Sequence, residues 1–235
     1  MRSGLLAMVA LATVMSPVVV AQVTCPTDVI AEWRLDTLSS GISPDERADH
    51  PLFCIDDCPT PTAGQIDGAL AFDGIDDGIA ASSEPSFDFG PTDSFAFEAW
   101  VRPAASTGDF RFVLGRVQPG SVGWVLGQDG SGVAAFDLVA TNGEGSDPAN
   151  LLRGTTDLSD GNWHHLVGVR DGASGQTLLY VDGVLEDSTT LTYTAGFDSD
   201  FAIITVGYAT SSFGPQRFVG DLDAITVYNR ALTPA

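Results

Sequence analysis

The fold is decided by residues 163–184, which read WHHLVGVRDGASGQTLLYVDGV. Two apolar runs of strand length, Trp163 to Arg170 and Gln176 to Val181, are separated by the turn-forming stretch 171–175. A second, tighter turn follows at Asp182-Gly183, because aspartate tolerates and glycine readily adopts the left-handed backbone that short hairpin turns need. The stretch therefore predicts two consecutive β-hairpins.

Strand-like runs separated by similar turns continue on both sides of this stretch. In the run from Phe95 to Val101, alternate residues are apolar, so that Phe95 and Phe97 share one face. Further runs occur at 110–117, 122–127, 133–140, 202–207 and 218–228. We find no window with a sustained helical period. Many short strands between turn signals favour an all-β sandwich or barrel.

Five longer motifs are spread along the chain. They are GALAFDGIDDGI at 68–79, SFAFEAWVRP at 94–103, LSDGNWHHL at 158–166, LYVDGV at 179–184 and FVGDLDAITVYNRAL at 218–232. In order and spacing they resemble the LamG-like jellyroll domain of the concanavalin A-like lectin/glucanase superfamily. The resemblance implies an all-β fold, a two-sheet antiparallel jellyroll sandwich over nearly all of residues 30–232. Because that fold carries lectins, enzymes and adhesion modules, it predicts structure better than function.

The first 21 residues have the pattern of a secretory signal peptide. Arg2 is followed by an apolar stretch at 5–14 that is too short to span a bilayer, and Val19 and Ala21 occupy the positions expected before a cleavage site. We therefore expect a secreted, extracellular protein without membrane insertion; the alternative is a buried N-terminal strand or helix. Residues 22–65 are predicted to be a strand and a cysteine-bearing irregular segment of the same domain, whose main body is 66–235.

Three cysteines, Cys25, Cys54 and Cys58, lie in the N-terminal part of the chain. Export favours disulfides over free thiols. Cys54 and Cys58 could close a small loop, but Cys25 could pair with either of them, so the sequence leaves the pairing open and one thiol odd. We expect no zinc site, because a fourth soft ligand is missing.

The charge of the chain is strongly acidic. It has 31 acidic and 10 basic residues, a net charge of −21, and all the basic residues are arginine. A nucleic-acid-binding protein needs a basic surface, so we expect no nucleic acid as partner. An anionic membrane surface would also repel this chain.

Aspartates cluster where a jellyroll brings its first and last strands together. The resemblance implies a structural calcium ion near that seam in many relatives, and calcium prefers about six to eight hard oxygen ligands. We therefore hypothesise one bound Ca²⁺. The alternatives are that these aspartates only cap turns, or that a lysine-free acidic surface suits a salty habitat. The predicted ligands are Asp36, a carbonyl near Gly74, Asp76 or Asp77, and Asp221 or Asp223.

No motif indicates catalysis. A retaining glycosidase needs two facing carboxylates, but among the glutamates only Glu32 and Glu98 lie in strand-like runs, and neither has a carboxylate two residues away. A lyase would need Arg, Tyr and His on one sheet face, and no local pattern gathers them. His164 and His165 are adjacent, so on a strand they face opposite ways. We expect no catalytic residue.

Aromatic side chains and polar loops are the candidate binding groups. Trp124, beside a glycine-rich loop, is predicted to be an exposed platform for a sugar ring, whereas Trp100 and Trp163 are expected to pack in the sandwich. Asn142 in the loop 141–147, and Phe213 and Arg217 in the loop 208–217, are predicted to complete the site. The alternative is that these loops are plain turns.

The sequence thus predicts a secreted, non-catalytic binding module on a calcium-supported β-sandwich. Its expected partner is a polysaccharide or the glycan of a glycoprotein. One alternative is an extracellular adhesion or matrix module that binds a cell-surface protein. A second alternative is a glycoside hydrolase or lyase of the same superfamily.

Overall fold

A computed structural model describes residues 28–82, 85–104, 108–118, 121–199, 202–211 and 214–233. The predicted signal peptide, Cys25 and Phe213 lie outside these ranges. Two 3₁₀ turns, Pro85–Phe87 and Leu158–Asp160, accompany the strands. The strands are β1 (Val29–Trp33), β2 (Ile42–Ser43), β3 (Leu52–Cys54), β4 (Thr60–Ala63), β5 (Gly68–Asp73), β6 (Ile79–Ala81), β7 (Phe95–Pro103), β8 (Arg111–Gln118), β9 (Ser121–Gln128), β10 (Val133–Leu138), β11 (Leu152–Asp157), β12 (His164–Asp171), β13 (Gln176–Val181), β14 (Val184–Thr190), β15 (Ile204–Val206), β16 (Tyr208–Ser211), β17 (Gly214–Arg217) and β18 (Val219–Tyr228).

The strands form two large antiparallel sheets and one small hairpin. Sheet A has the order β14-β13-β12-β7-β18-β5-β4, and β1 pairs with the second half of β18. Sheet B has the order β11-β10-β9-β8-β15-β6-β3-β2, and β16 and β17 form a separate two-stranded sheet. Several strands that are adjacent in a sheet are not consecutive in the sequence, as in a jellyroll sandwich. The predicted fold class is therefore confirmed.

The two hairpins predicted from residues 163–184 are present. β12 pairs with β13, and β13 pairs with β14 across the turn at Asp182-Gly183. Both turn residues have positive φ, 51° for Asp182 and 79° for Gly183, which is the backbone that a two-residue hairpin turn requires.

The core lies between the sheets and is rich in aromatic rings. Phe97 of β7 stacks on Trp124 of β9 with ring centroids 4.3 Å apart, which ties sheet A to sheet B. Phe136 of β10 meets the same Phe97 ring edge-on. Because side chains alternate along a strand, the residues between these core positions face outward on the two sheets. Within the described residues, no helix is long and apolar enough to cross a membrane.

Candidate functional site

The structure joins Cys54 and Cys58 by a disulfide, one of the pairings that the sequence allowed. The bond closes a loop that follows β3. Within it, Asp56 has a positive φ of 62°, and its carboxylate accepts a hydrogen bond from Arg217 Nη2 at 2.7 Å. The predicted rim residue Arg217 therefore holds the β16–β17 hairpin against the disulfide loop.

The first acidic cluster is the loop between β5 and β6. Asp73, Asp76 and Asp77 each place a carboxylate oxygen within 4.8 Å of the others. Two of these carboxylates already accept hydrogen bonds within the turn. Asp77 Oδ2 accepts the amide of Asp73 at 2.8 Å, and Asp73 Oδ1 accepts the amide of Ile75 at 2.7 Å. Burial raises the pKa of Asp77, whereas the hydrogen bond from Ile75 lowers the pKa of Asp73.

The second acidic cluster is the pair Asp36 and Asp223 at the seam between β1, β5 and β18. Asp223 is fully buried, and its Oδ2 accepts the amide of Ile66 at 2.8 Å. Its Oδ1 is buried without a hydrogen-bond partner. Asp36 Oδ1 accepts the amide of Gly68 at 2.8 Å. Burial raises the pKa of Asp223, and the negative charge of Asp36 raises it further.

The predicted calcium ligands therefore fall into two separate groups, and the prediction that one ion joins them is wrong. Asp36 binds the first residue of β5, Gly68, whereas Gly74, Asp76 and Asp77 follow its last residue. The two ends of that strand are five residue steps apart, about 17 Å at the usual rise of a β-strand. Asp221 belongs to neither group, because its Oδ2 lies 2.7 Å from Arg102 Nη2 in an ion pair.

Trp124 is fully buried, so the prediction of an exposed platform at this residue is wrong. The strand β9 is apolar on both faces, and its register with β10 points Trp124 and Leu126 into the core. Val125 and Gly127 consequently face outward. The residue type was a reasonable candidate, but the sequence did not show which face of β9 is buried.

Asn142 and Arg217 make hydrogen bonds in different parts of the molecule. Asn142 is exposed, its Nδ2 donates to Thr194 Oγ1 at 3.2 Å, and its Oδ1 accepts the amide of Glu144 at 3.1 Å. The Arg217 side chain is only 10% exposed, and its Nη1 donates to the carbonyl of Asp77 at 2.9 Å. Both residues stabilise loops in this structure, and their predicted roles in binding a ligand stay predictions.

The outward side of sheet B carries an apolar strip beside β9, which we call the sheet B face. It comprises an aromatic pair, Phe110 and Phe112, whose ring centroids are 5.1 Å apart in an edge-on arrangement. The half-buried Phe110 ring lies over Gly127, where a Cβ atom would be only 2.7 Å from the ring. The other members are Val125, Ala209, Ala135 and Asp137. Phe112, Val125, Ala209 and Ala135 are buried, so that Phe110 and Asp137 are the half-buried members of this face.

Asp137 is the one acidic member of the sheet B face. It lies opposite Val125 on β9, and it is half-buried between the core residues Phe136 and Leu138. Burial raises the pKa of Asp137 to about 6, although the amide of Leu138 and the positive charge of Arg153 lower it in part. A carboxylate beside aromatic rings can accept hydrogen bonds from hydroxyl groups while the rings contact an apolar surface.

A second group of residues, which sequence reasoning missed, lies on the outward side of sheet A. We call it the sheet A face. The rings of Trp100 and His165 are directly opposite each other on β7 and β12, with centroids 5.0 Å apart. Glu98 joins them, because its Oε2 lies 3.3 Å from His165 Nε2 and its Oε1 accepts the hydroxyl of Tyr228 at 2.5 Å.

The sheet A face continues toward one end of β7. The Arg102 guanidinium lies over the ring of Trp163 at 4.9 Å and is ion-paired with Asp221. These residues come from three distant parts of the sequence, and only the strand register brings them together. The one signal available beforehand was the alternation along β7, where Glu98, Trp100 and Arg102 share the face opposite to Phe97.

His164 faces the other way from His165, as the sequence predicted, and it joins two turns. Its Nδ1 lies 2.8 Å from Asp182 Oδ2, and its Nε2 lies 3.2 Å from Asp160 Oδ1. Burial lowers the pKa of His164, but the bonds to the two aspartates outweigh burial, so that the pKa lies above its ordinary value of 6.5.

A raised histidine pKa stabilises the fold at low pH. The contribution of His164 is full below its unfolded pKa and is lost as the pH rises through the folded pKa. We expect His164→Asn to lower the free energy of unfolding by about 1–3 kcal/mol at acidic pH and by less at alkaline pH. Urea unfolding across the pH range measures this. An equal loss at all pH values would contradict the assignment.

In the part of the chain that the structure describes, neither Glu98 nor Asp137 has a carboxylate directly opposite it in the strand pairing, as a retaining glycosidase would need. Glu98 is an unsuitable general acid, since the hydrogen bonds from His165 and Tyr228 outweigh the effect of burial and hold its pKa below the ordinary range. Asp137 has the raised pKa of an acid, but no second carboxylate faces it among the described residues of β8 and β9. This argues against a retaining glycosidase, whereas the sheet A face does gather Arg102, His165 and Tyr228, the residue types that a lyase needs.

The two-sheet antiparallel sandwich with outward aromatic residues is a jellyroll of the concanavalin A type. A laminin G family model, described as the concanavalin A-like lectin/glucanases superfamily, matches residues 73–235. The chain belongs to this superfamily. No curated protein sequence matches the chain at a significant level.

Several solved structures share the fold at low sequence identity. The binding domain of Paraclostridial Mosquitocidal Protein 1 aligns with a TM-score of 0.68 and 15% identity, over 88% of this chain and 50% of that one. Domain 4 of AbnA, a GH43 extracellular arabinanase from Geobacillus stearothermophilus, in complex with arabinotriose, aligns with a TM-score of 0.62 and 19% identity over 88% and 95%. Trypanosoma rangeli sialidase aligns with a TM-score of 0.64 and 16% identity, over 89% of this chain but only 32% of that enzyme.

Proposed function

We propose that this chain is an exported, non-catalytic module that binds carbohydrate through the sheet B face. The observation that carries the proposal is the half-buried carboxylate of Asp137, which lies opposite Val125, a residue packed in one apolar cluster with Phe110 and Phe112. A sugar ring has an apolar face and a rim of hydroxyl groups. The half-buried Phe110 ring suits contact with the apolar face, and the Asp137 carboxylate suits hydrogen bonds from the hydroxyl groups.

The structural neighbours support a binding role. The arabinanase domain was solved with arabinotriose, and this chain spans 95% of that domain. A botulinum neurotoxin binding domain was solved with SialylT, but the chain spans only 49% of it, which makes the arabinanase domain the better guide. With a net charge of −21, this chain repels anionic ligands, so a neutral oligosaccharide is the favoured class.

Two substitutions test the sheet B face. We expect Phe110→Ala and Asp137→Asn each to weaken the binding of arabinotriose or another neutral oligosaccharide by about tenfold, since each removes about one hydrogen bond or one ring contact. Isothermal titration calorimetry measures the loss. In the unsubstituted protein, affinity should also fall as the pH is lowered through about 6, because Asp137 becomes protonated. Asp137→Asn should remove that pH dependence.

The control for these variants is Ile75→Ala, because Ile75 is 74% exposed on the acidic loop and away from both sheet faces. This variant should bind as the unsubstituted protein does. If Phe110→Ala and Asp137→Asn both retain full affinity, the ligand does not contact the sheet B face and the assignment fails.

The pair Asp36 and Asp223 fits a calcium ion better than the acidic loop does. Two neighbouring carboxylates at the seam repel each other, and the buried Oδ1 of Asp223 has no protein partner. A cation between the two carboxylates would offset their mutual repulsion and would give the buried Oδ1 of Asp223 a partner. We propose that these two residues hold Ca²⁺ and that the ion stabilises the joint between β1, β5 and β18.

A further inference from the structure

We propose that the sheet A face is a second carbohydrate site, separate from the sheet B face and selective for uncharged saccharides. It lies on the opposite side of the sandwich, so it is independent of the site argued above. Two sites on opposite sides would allow one molecule to bind two glycan chains at once.

The aromatic residues of this face are accessible and held in place. Trp100 and Trp163 are half-buried, in contrast to Trp33 and Trp124, which are fully buried. His165 packs against the Trp100 ring, and Arg102 packs against the Trp163 ring. A ring fixed by its neighbours loses little conformational freedom when a sugar stacks on it, which favours binding.

The polar residues of the face are also fixed before any ligand arrives. Glu98 is held by His165 and Tyr228, and Asp221 is held by Arg102. Each carboxylate has more lone pairs than these contacts use, and a guanidinium has five N–H donors. The face therefore offers both acceptors and donors to hydroxyl groups. The side chains of Glu98 and Arg102 remain partly exposed, 22% for Glu98 and 36% for Arg102.

The charge of the face indicates which saccharides it would accept. Glu98 and Asp221 outnumber the Arg102 guanidinium, Asp223 lies opposite Trp100 on β18 and adds a further carboxylate, and the whole chain is acidic. A carboxylated or sulfated sugar would meet net repulsion, whereas a neutral sugar would not. A protein partner is the competing occupant, but nothing in the described residues favours one over a saccharide.

The test uses fluorine NMR of the full chain labelled with 5-fluorotryptophan, which gives one signal for each tryptophan. We expect arabinotriose at millimolar concentration to shift the signals of Trp100 and Trp163 saturably, while those of the buried Trp33 stay unchanged. A sialylated trisaccharide at the same concentration should shift neither. Trp→Phe variants assign the signals.

Substitutions separate the two faces. Trp100→Ala should weaken the titration followed at Trp163 by about tenfold, and Trp100→Phe should restore most of the affinity. Phe110→Ala should leave this titration unchanged. The inference is overturned if the Trp100 and Trp163 signals do not respond to any neutral saccharide, or if they respond equally to the sialylated one.

Discussion

Trp124→Ala should lower the free energy of unfolding by about 3–5 kcal/mol, the range for removing a large aromatic side chain from a core. Trp124 is fully buried and stacks on Phe97 across the two sheets, so its loss would leave a cavity at the joint of the sandwich. Urea denaturation followed by circular dichroism measures the change.

Trp163→Ala is the matched control for this variant, because Trp163 is half-buried on the outward side of sheet A. Trp163→Ala should lower the free energy of unfolding by less than half as much as Trp124→Ala does. If Trp124→Ala instead left stability unchanged and abolished glycan binding, Trp124 would be the exposed platform that the sequence suggested, and the orientation of β9 would be wrong.

Calcium should raise the melting temperature, and a chelator should reverse the rise. An ion present at 100 times its dissociation constant stabilises the folded state by about 2.7 kcal/mol. For a domain of this size that corresponds to roughly 5–10 °C. Differential scanning calorimetry with calcium and then with chelator gives the shift directly.

Two aspartate variants decide which cluster binds the ion. Asp223→Asn should abolish the calcium shift, because the buried Oδ1 without a partner is the proposed ligand. Asp76→Asn should preserve the shift, because Asp76 lies at the other end of β5. Loss of the shift in Asp76→Asn alone would move the site to the acidic loop, and no shift in the unsubstituted protein would remove the calcium proposal.

Local features of the sequence predicted the strands, the turns and an all-β sandwich or barrel, and the resemblance to LamG-like domains implied the jellyroll. The hairpin at Asp182-Gly183 formed as predicted, because both residues adopt the positive φ that a two-residue turn needs. The alternation along β7 likewise predicted that Phe95 and Phe97 share one face, and the structure buries both of them. Where the alternation of apolar residues and the type of turn residue agree, a hairpin can be predicted without knowledge of distant strands.

The candidate sites were less predictable because they depend on long-range register. β9 is apolar on both faces, so its sequence could not show that Trp124 points inward and Val125 outward. Glu98, His165 and Tyr228 meet only because β12 and β18 both pair with β7. The calcium hypothesis grouped Asp36 and Asp223, whose charges do interact, with residues from the far end of β5, and the length of that strand separates the two clusters.

The most direct test of the central claim is to incubate the purified chain with a panel of neutral and anionic oligosaccharides and to measure retention and bond cleavage together. A non-catalytic carbohydrate-binding module should retain at least one neutral oligosaccharide saturably and release it intact. Hydrolysis or elimination products would show an enzyme, and retention of no glycan in the panel would contradict carbohydrate binding itself.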